Sequence, residues 1–272
     1  MGKVRKLGNK PRLVIVQKII KETPTVKTIL FKDSICSNAE PGQFVMVWIP
    51  GSDEIPMSIS FIDKSLCGIT VKNVGKSTEA LHRLKYHSEF GLRGPYGKGF
   101  RIFKGTSLIV AGGVGMAPLN PLLVKLEKLE IKPTVLLGAT TASELLFCKQ
   151  LRTKLRQRLI LATDDGSAGF KGLASDLTLD FLKENSLKNI YACGPELLLK
   201  KIFEYTSKFN MQVQMSLERH MKCGLGICGN CMIDGLRICK EGPVISSESL
   251  KSIDDFGFAR LDASGRKTPI NK

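Results

Sequence analysis

The chain has 272 residues, 43 % of them hydrophobic, enough for packed cores in one large domain or two to three smaller ones. Its formal net charge of +16 admits nucleic acid as a partner. The excess is mostly lysine spread along the whole chain, without aromatic interleaving or one dense basic helix face. No nucleic acid is therefore expected, and the charge reads as a solvated surface or a docking face for an acidic protein. No run approaches the roughly 18 apolar residues of a membrane span. Lys3, Arg5, Lys6, Lys10 and Arg12 surround only short apolar runs, so neither a membrane span nor a secretion signal is expected.

After the basic tail, short strands are predicted at 12–19, 26–31, 43–49, 57–61, 68–74 and 89–94, with one helix near 78–84. Val, Ile and Phe dominate them, and Pro41-Gly42, Pro50-Gly51 and Gly94-Pro95 punctuate them, which suggests a small antiparallel barrel. From Thr106 the pattern changes. A strand at 107–111 runs at once into Gly112, Gly113, Val114, Gly115, Met116, Ala117 and Pro118. A helix follows, with Leu119, Leu122, Leu123, Leu126 and Leu129 on its apolar face and Pro118 and Pro121 expected in its first turn. Strands at 134–137, 159–162 and 189–192 then alternate with helices at 142–155, 173–184 and 196–208, ending in a strand at 212–217. That is the rhythm of a doubly wound parallel sheet. The fold class expected is β plus α/β, in three parts: the barrel with its tail (1–102), the parallel-sheet domain (103–214) and a small C-terminal segment (215–272).

The strongest local signal lies in that last part. Cys223, Cys228, Cys231 and Cys239 are spaced C-x4-C-x2-C-x7-C, and the first three match the plant-type ferredoxin spacing for a 2Fe–2S cluster. Gly224, Gly226 and Gly229 interleave them, as a loop wrapping a cluster needs residues that tolerate φ > 0 and free amides to point at sulfur. Zinc and two disulfides are the competing readings, although only one C-x2-C pair is present for zinc. Cys36, Cys67, Cys148 and Cys193 are scattered, which is not a disulfide framework and suggests a reducing, cytoplasmic setting.

Two turns offer amides and a helix dipole to a diphosphate: the glycine-rich one after the strand at 107–111, and Cys193-Gly194-Pro195-Glu196 after a later parallel strand. The first lacks the strict G-x-G-x-x-G order and alone is also compatible with tight strand–helix packing. Cys193 reads either as a small buried apolar residue or as part of a nicotinamide pocket. In the barrel, Gly75-Lys76-Ser77-Thr78 precedes a helix and reads as a cap or a diphosphate site. No Ser/His/Asp or paired-carboxylate arrangement stands out, so no catalytic acid, base or nucleophile is assigned.

Taken in order, the barrel, the glycine-rich turn, the Cys193–Glu196 turn and the cysteine cluster resemble the ferredoxin reductase-like flavoproteins. Among these the resemblance is to the electron-transfer subunits of type B dihydroorotate dehydrogenases, and it covers roughly residues 12–247. Its most specific stretches are Ala162-Thr163-Asp164-Asp165-Gly166-Ser167, Ser216-Leu217-Glu218-Arg219 and Cys239-Lys240-Glu241-Gly242-Pro243-Val244. The resemblance implies an oxidoreductase of pyrimidine biosynthesis with FAD on the barrel, NAD on the α/β domain and a 2Fe–2S cluster facing a separate FMN-containing catalytic subunit in a hetero-oligomer. It places the flavin at Pro56, Met57, Ser58, Ile59 and Ser60, at Thr70, Val71 and Lys72, and at Gly75, Ser77 and Thr78. It places NAD at residues 112–118, at Asp164 and at Cys193, Gly194, Pro195 and Glu196, and iron on Cys223, Cys228, Cys231 and Cys239. One departure is Ile55, where the family commonly has a phosphate-clamping arginine; Lys72 or Lys76 is the expected replacement. No arginine follows the strand at 134–138 to meet a 2′-phosphate, which favours NAD over NADP. Related subunits of hydrogenases, sulfide dehydrogenases and ferredoxin–NAD(P) oxidoreductases share the cysteine loop, and a zinc-bearing binding module is the reading from another class.

Overall fold

The computed structural model describes residues 9–270, so Lys3, Arg5 and Lys6 of the expected tail lie outside the described residues. Six strands, β1 (Arg12–Lys21), β2 (Val26–Lys32), β3 (Phe44–Trp48), β4 (Ile55–Ile62), β5 (Leu66–Lys72) and β6 (Glu89–Tyr96), close into a barrel in the order β1-β2-β5-β4-β3-β6. Every pairing is antiparallel, as predicted. Alternate residues fill the interior, among them Val16, Phe31, Val45, Ile59, Ile69 and Val71. Helix α1 (Lys76–Arg83) follows β5.

The β1–β6 ladder closes the barrel, and Arg12 reinforces the seam. Its guanidinium bonds both Asp33 oxygens (2.6 and 3.0 Å) and the Gly94 carbonyl (2.9 Å), tying the start of β1 to the ends of β2 and β6. Asp33 also accepts the amides of Ile35 (3.1 Å) and Cys36 (2.7 Å). Burial disfavours its carboxylate, but Arg12 and the Cys36 amide outweigh burial and hold it below the ordinary range.

The second part is a seven-stranded sheet, completed at one edge by β15 (Val244–Ser246) of the C-terminal segment and ordered β10-β9-β8-β7-β11-β12-β15. It is built from β7 (Ser107–Gly112), α2 (Met116–Lys128), β8 (Thr134–Ala139), α3 (Cys148–Leu155), β9 (Leu159–Thr163), β10 (Phe170–Lys171), α4 (Ala174–Glu184), β11 (Asn189–Cys193), α5 (Glu196–Thr206) and β12 (Gln212–Ser216). Strands buried on both faces must be apolar at successive positions. Leu108, Val110, Leu136 and Ile190 accordingly join the core containing α4 and α5, while Ile109, Val135, Leu137 and Tyr191 join that containing α2 and α3. The doubly wound sheet expected from the sequence is present.

The C-terminal segment adds β13 (Met232–Ile233), β14 (Leu236–Arg237), α6 (Ile238–Glu241), β15 (Val244–Ser246), α7 (Ser247–Leu250), β16 (Ala259–Leu261) and β17 (Lys267–Pro269). β15 pairs antiparallel with β12, so the segment is clipped to the sheet edge. On the barrel's outer face, Phe44, Met46 and Tyr96 share one core with the sheet residues Val213 and Met215 and with Met221, Cys231 and Cys239. Among the described residues no helix is long and apolar enough to cross a membrane.

Three predicted details are corrected. The helix expected over 142–155 is broken: a single 3-10 turn at Ala142–Glu144 precedes α3, and Phe147 between them is left-handed (φ +58°). Leu145, Leu146 and Phe147 are all buried, and the left-handed Phe147 re-aims the chain between the turn and the helix. Pro121 lies beyond the first turn of α2, because the chain already coils from Gly113 and the helix starts at Met116. Leu129 follows the end of that helix and is exposed.

Asp33→Asn is expected to destabilise the protein by about 2 kcal/mol at pH 7. A carboxylate with a lowered folded-state pKa contributes stability above its unfolded value and loses it as pH falls through the folded one. The gap between wild type and variant should therefore close below about pH 4. Urea midpoints measured between pH 3 and 7 check both expectations.

Candidate functional site

Leu217 to Cys231 connect the sheet edge to β13 with no helix or strand of their own. Gly224 (φ +69°), Gly226 (φ +78°) and Gly229 (φ +75°) all adopt the left-handed conformation that the interleaved glycines were expected to need. This curls the loop so that its amides face sulfur. Cys223 Sγ accepts from the amides of Leu225 (3.3 Å) and Ile227 (3.5 Å), and Cys239 Sγ from that of Gly226 (3.1 Å). Cys231 Sγ accepts the Cys239 amide (3.4 Å).

Three of the four sulfurs thus accept backbone amides of this one stretch. Burial works against a Cys223 thiolate, yet amides from Cys228, Leu225 and Ile227 prevail and bring the thiol down to about 6. Cys239 is pushed up to about 12, first by burial and then by Cys231, so bound metal has to displace its proton. Among the described residues no three His, Cys or carboxylate groups converge as one metal ion requires. Zinc needs four ligands around one point, whereas a 2Fe–2S cluster takes two thiolates at each iron. The donors fit the cluster. Cys231 and Cys239 are buried and Cys228 is exposed beside Ile227, so one end of the site meets solvent.

The resemblance-based flavin residues fall into two groups. Pro56, Met57 and Ser58 lie half-buried on β4, which is tied to α2 by Asn120 Nδ2 donating to the Ser60 carbonyl (2.9 Å). Ile59 and Val71 point into the barrel core, so only their backbone is open to a ligand. Ser60 and Thr70 bond each other through their hydroxyls (2.7 Å), and Thr70 also meets Thr28 (2.8 Å). Thr78 Oγ1 accepts the amides of Val74 and Gly75 (both 2.9 Å), the local capping role foreseen for this stretch, while Ser77 stays half-buried beside it.

At the two candidate diphosphate turns, β7 and β11 are parallel neighbours with Ala111 opposite Cys193, so the turns sit side by side at the carboxyl ends of the strands. Gly115 makes this possible: a Cβ there would stand 2.2 Å from the Cys193 carbonyl oxygen. Met116, Ala117 and Pro118 are buried packing residues of α2. Gly113 and Val114 instead line a crevice of about 130 Å³ shared with Thr25, Lys72, Thr140 and Glu144. Thr25 donates to Glu144 (2.8 Å) and so joins the barrel to the sheet domain across it. Lys72 brings a cation to the crevice. Asp164 is exposed at the end of β9, its amide bonded to the Ala139 carbonyl (3.2 Å). The Cys193 thiol is pushed up to about 12 by burial and then by the charge of Glu218.

Glu196 has a role that local motif reading missed. Both its oxygens hold the buried Arg219 (2.6 and 2.7 Å), and one also accepts the Gly257 amide (2.9 Å). Arg219 is four residues before Cys223, so this ion pair fastens the Cys193–Glu196 turn to the cysteine loop. Equally unforeseen, Arg93 on β6 joins Glu54 to the carbonyl of Cys223. The only sequence signal at Arg93 is its place next to Gly94-Pro95.

Comparison with known proteins agrees with this arrangement. Residues 218–251 match the family model described as the iron–sulfur cluster binding domain of dihydroorotate dehydrogenase B. A protein of Methanocaldococcus jannaschii, a probable dihydroorotate dehydrogenase B (NAD(+)) electron transfer subunit, is 43 % identical over 95 % of this chain and 98 % of its own length. A Thermoplasma acidophilum protein of the same description is 40 % identical over 95 % and 98 %. Among solved structures, a chain of the NADH-dependent reduced ferredoxin–NADP oxidoreductase superposes with a TM-score of 0.79 at 28 % identity, covering 87 % of this chain and 89 % of its own. Phthalate dioxygenase reductase shares the fold, with a TM-score of 0.64 at 12 % identity over 97 % of this chain and 77 % of its own. With relatives this similar over nearly its whole length, the chain belongs to the family of dihydroorotate dehydrogenase B electron-transfer subunits.

Proposed function

We propose that this chain carries electrons from a dihydroorotate-oxidising, FMN-containing partner subunit to NAD⁺, in a cytoplasmic heterotetramer serving pyrimidine biosynthesis. Residues 1–102 serve FAD, 103–214 serve NAD and 215–272 serve the cluster. When bound, a 2Fe–2S cluster exchanges single electrons, and FAD links them to the two-electron hydride chemistry of NAD. The chain binds and orients these groups. Its four cysteines hold iron, and the amides of Leu225, Gly226 and Ile227 stabilise negative charge on sulfur. The start of α2 and Lys72 offer positive potential to a diphosphate in the crevice, and Lys72 supplies charge that Ile55 lacks. Pro56, Met57 and Ser58 offer backbone and hydroxyl contacts to the flavin from β4.

The observation that carries the reading is the shared core. Phe44 and Met46 of β3 and Tyr96 of β6 pack with Met221, Cys231 and Cys239 of the cluster segment, which sets the cysteine loop against the strand that neighbours β4. The likeness to the ferredoxin–NADP oxidoreductase chain supports a second reading, with the same cofactors and a different partner, as in hydrogenases or sulfide dehydrogenases.

Anaerobically purified protein is expected to show flavin and iron–sulfur absorption, both bleached by NADH. Stoichiometric zinc with neither iron nor flavin would sink the proposal. Co-expression with a dihydroorotate dehydrogenase catalytic subunit should yield a complex that reduces NAD⁺ with dihydroorotate; no association would favour the second reading. In that complex, Cys228→Ser is expected to lower dihydroorotate-driven NAD⁺ reduction about 100-fold while direct reduction of the flavin by NADH persists.

A further inference from the structure

β6 carries Arg93 on the barrel's outer face, opposite Met46 of β3. Its guanidinium serves three elements at once. Nε and Nη2 hold Glu54 Oε1 and Oε2 (2.6 and 2.5 Å), Nη2 also donates to the Cys223 carbonyl (3.1 Å), and Nη1 donates to the Tyr96 hydroxyl (3.3 Å). The Arg93 and Glu54 side chains are only 14 % and 27 % exposed. Glu54 stands immediately before Ile55 and Pro56, where the flavin strand begins, and Cys223 is the first iron-holding residue. The same region is packed without slack, since a Cβ on Gly224 would lie 2.9 Å from Met46 Cγ and 3.4 Å from Tyr96 Cδ2.

A bidentate arginine fixes direction as well as distance, which a lysine cannot do. Charge and hydrogen bonding around the ligands are also what a protein uses to tune an iron–sulfur cluster. We propose that Arg93 is a positioning residue for electron transfer: it locks the Cys223 end of the cysteine loop to the flavin strand, and its charge, partly balanced by Glu54, sets the potential of the cluster. This rests on the function proposed above and adds a residue and a mode of tuning to it.

Two substitutions separate tuning from mere support. Glu54→Gln leaves a guanidinium unbalanced beside Cys223 and should raise the cluster's midpoint potential. Arg93→Gln removes the positive charge and should lower it. General loosening of the loop would move both variants the same way. Arg93→Lys keeps the charge without the fork, so its potential should stay near that of wild type while electron transfer between flavin and cluster slows about tenfold or more.

The measurements are a redox titration of the cluster followed by electron paramagnetic resonance, and rapid-mixing reduction with NADH, both on protein loaded with iron and flavin. Shifts of opposite sign support the inference. Unchanged potentials and rates, or shifts of the same sign, overturn it. If Arg93→Gln does not fold, Glu54→Gln and Arg93→Lys decide the matter by the same criteria. A wild-type protein that takes up no cluster overturns the proposed function itself, and this inference with it.

Discussion

The cysteine site depends on one continuous apolar core that ignores the division into barrel, sheet and cysteine segment. Phe44, Met46 and Tyr96 lie outside the barrel they belong to, and they are buried only because the sheet and the cysteine segment cover them. Burial of side chains of this size contributes about 1.5–3 kcal/mol each. The three parts therefore have a thermodynamic reason to stay together. A hinged arrangement would expose this strip and part Arg93 from the Cys223 carbonyl. Electron transfer between fixed cofactors benefits from that rigidity, because the groups that hold them need not search for one another.

The polar contacts that join separate elements follow one pattern. Arg12 reinforces the barrel seam, Arg93 joins barrel to cysteine loop, and Arg219 joins that loop to the Cys193–Glu196 turn. Each pairs with a carboxylate through two nitrogens, and each also reaches a backbone carbonyl. A guanidinium offers five donors in a plane, so it can serve an acid and a carbonyl from different elements together. Removing either partner of such a pair leaves the other charge poorly solvated, which makes these junctions stiff in composition as well as in shape.

Much of the architecture is legible in the sequence because it is written locally. The barrel shows in alternating Val, Ile and Phe runs between Pro-Gly turns, the sheet in apolar strands alternating with amphipathic helices, and the cluster in cysteines a few residues apart. What sequence reading missed depends on residues far apart in the chain. Arg93 and Cys223 are 130 positions apart, and Glu196 and Arg219 are 23 apart on separate elements. β15 has three residues, too few for a period to show. The break at Phe147 has no periodic signature, because it rests on one left-handed residue within an apolar run, Leu145, Leu146 and Phe147, that is buried throughout. At the glycine-rich turn, Met116 and Pro118 are buried in the helix packing, while Gly113 and Val114 stay open to the crevice.

The position of β15 ties metal chemistry to solubility. The chain reaches this strand only after completing the cysteine loop, and there it covers the free edge of β12. An uncovered strand edge is a template for pairing with other chains. The last cysteine, Cys239, and the start of β15, Val244, lie in one short stretch of chain, so the end of the loop and the strand that guards the edge are anchored together. Were β15 to leave β12, the edge it covers would lie open to pairing with another chain.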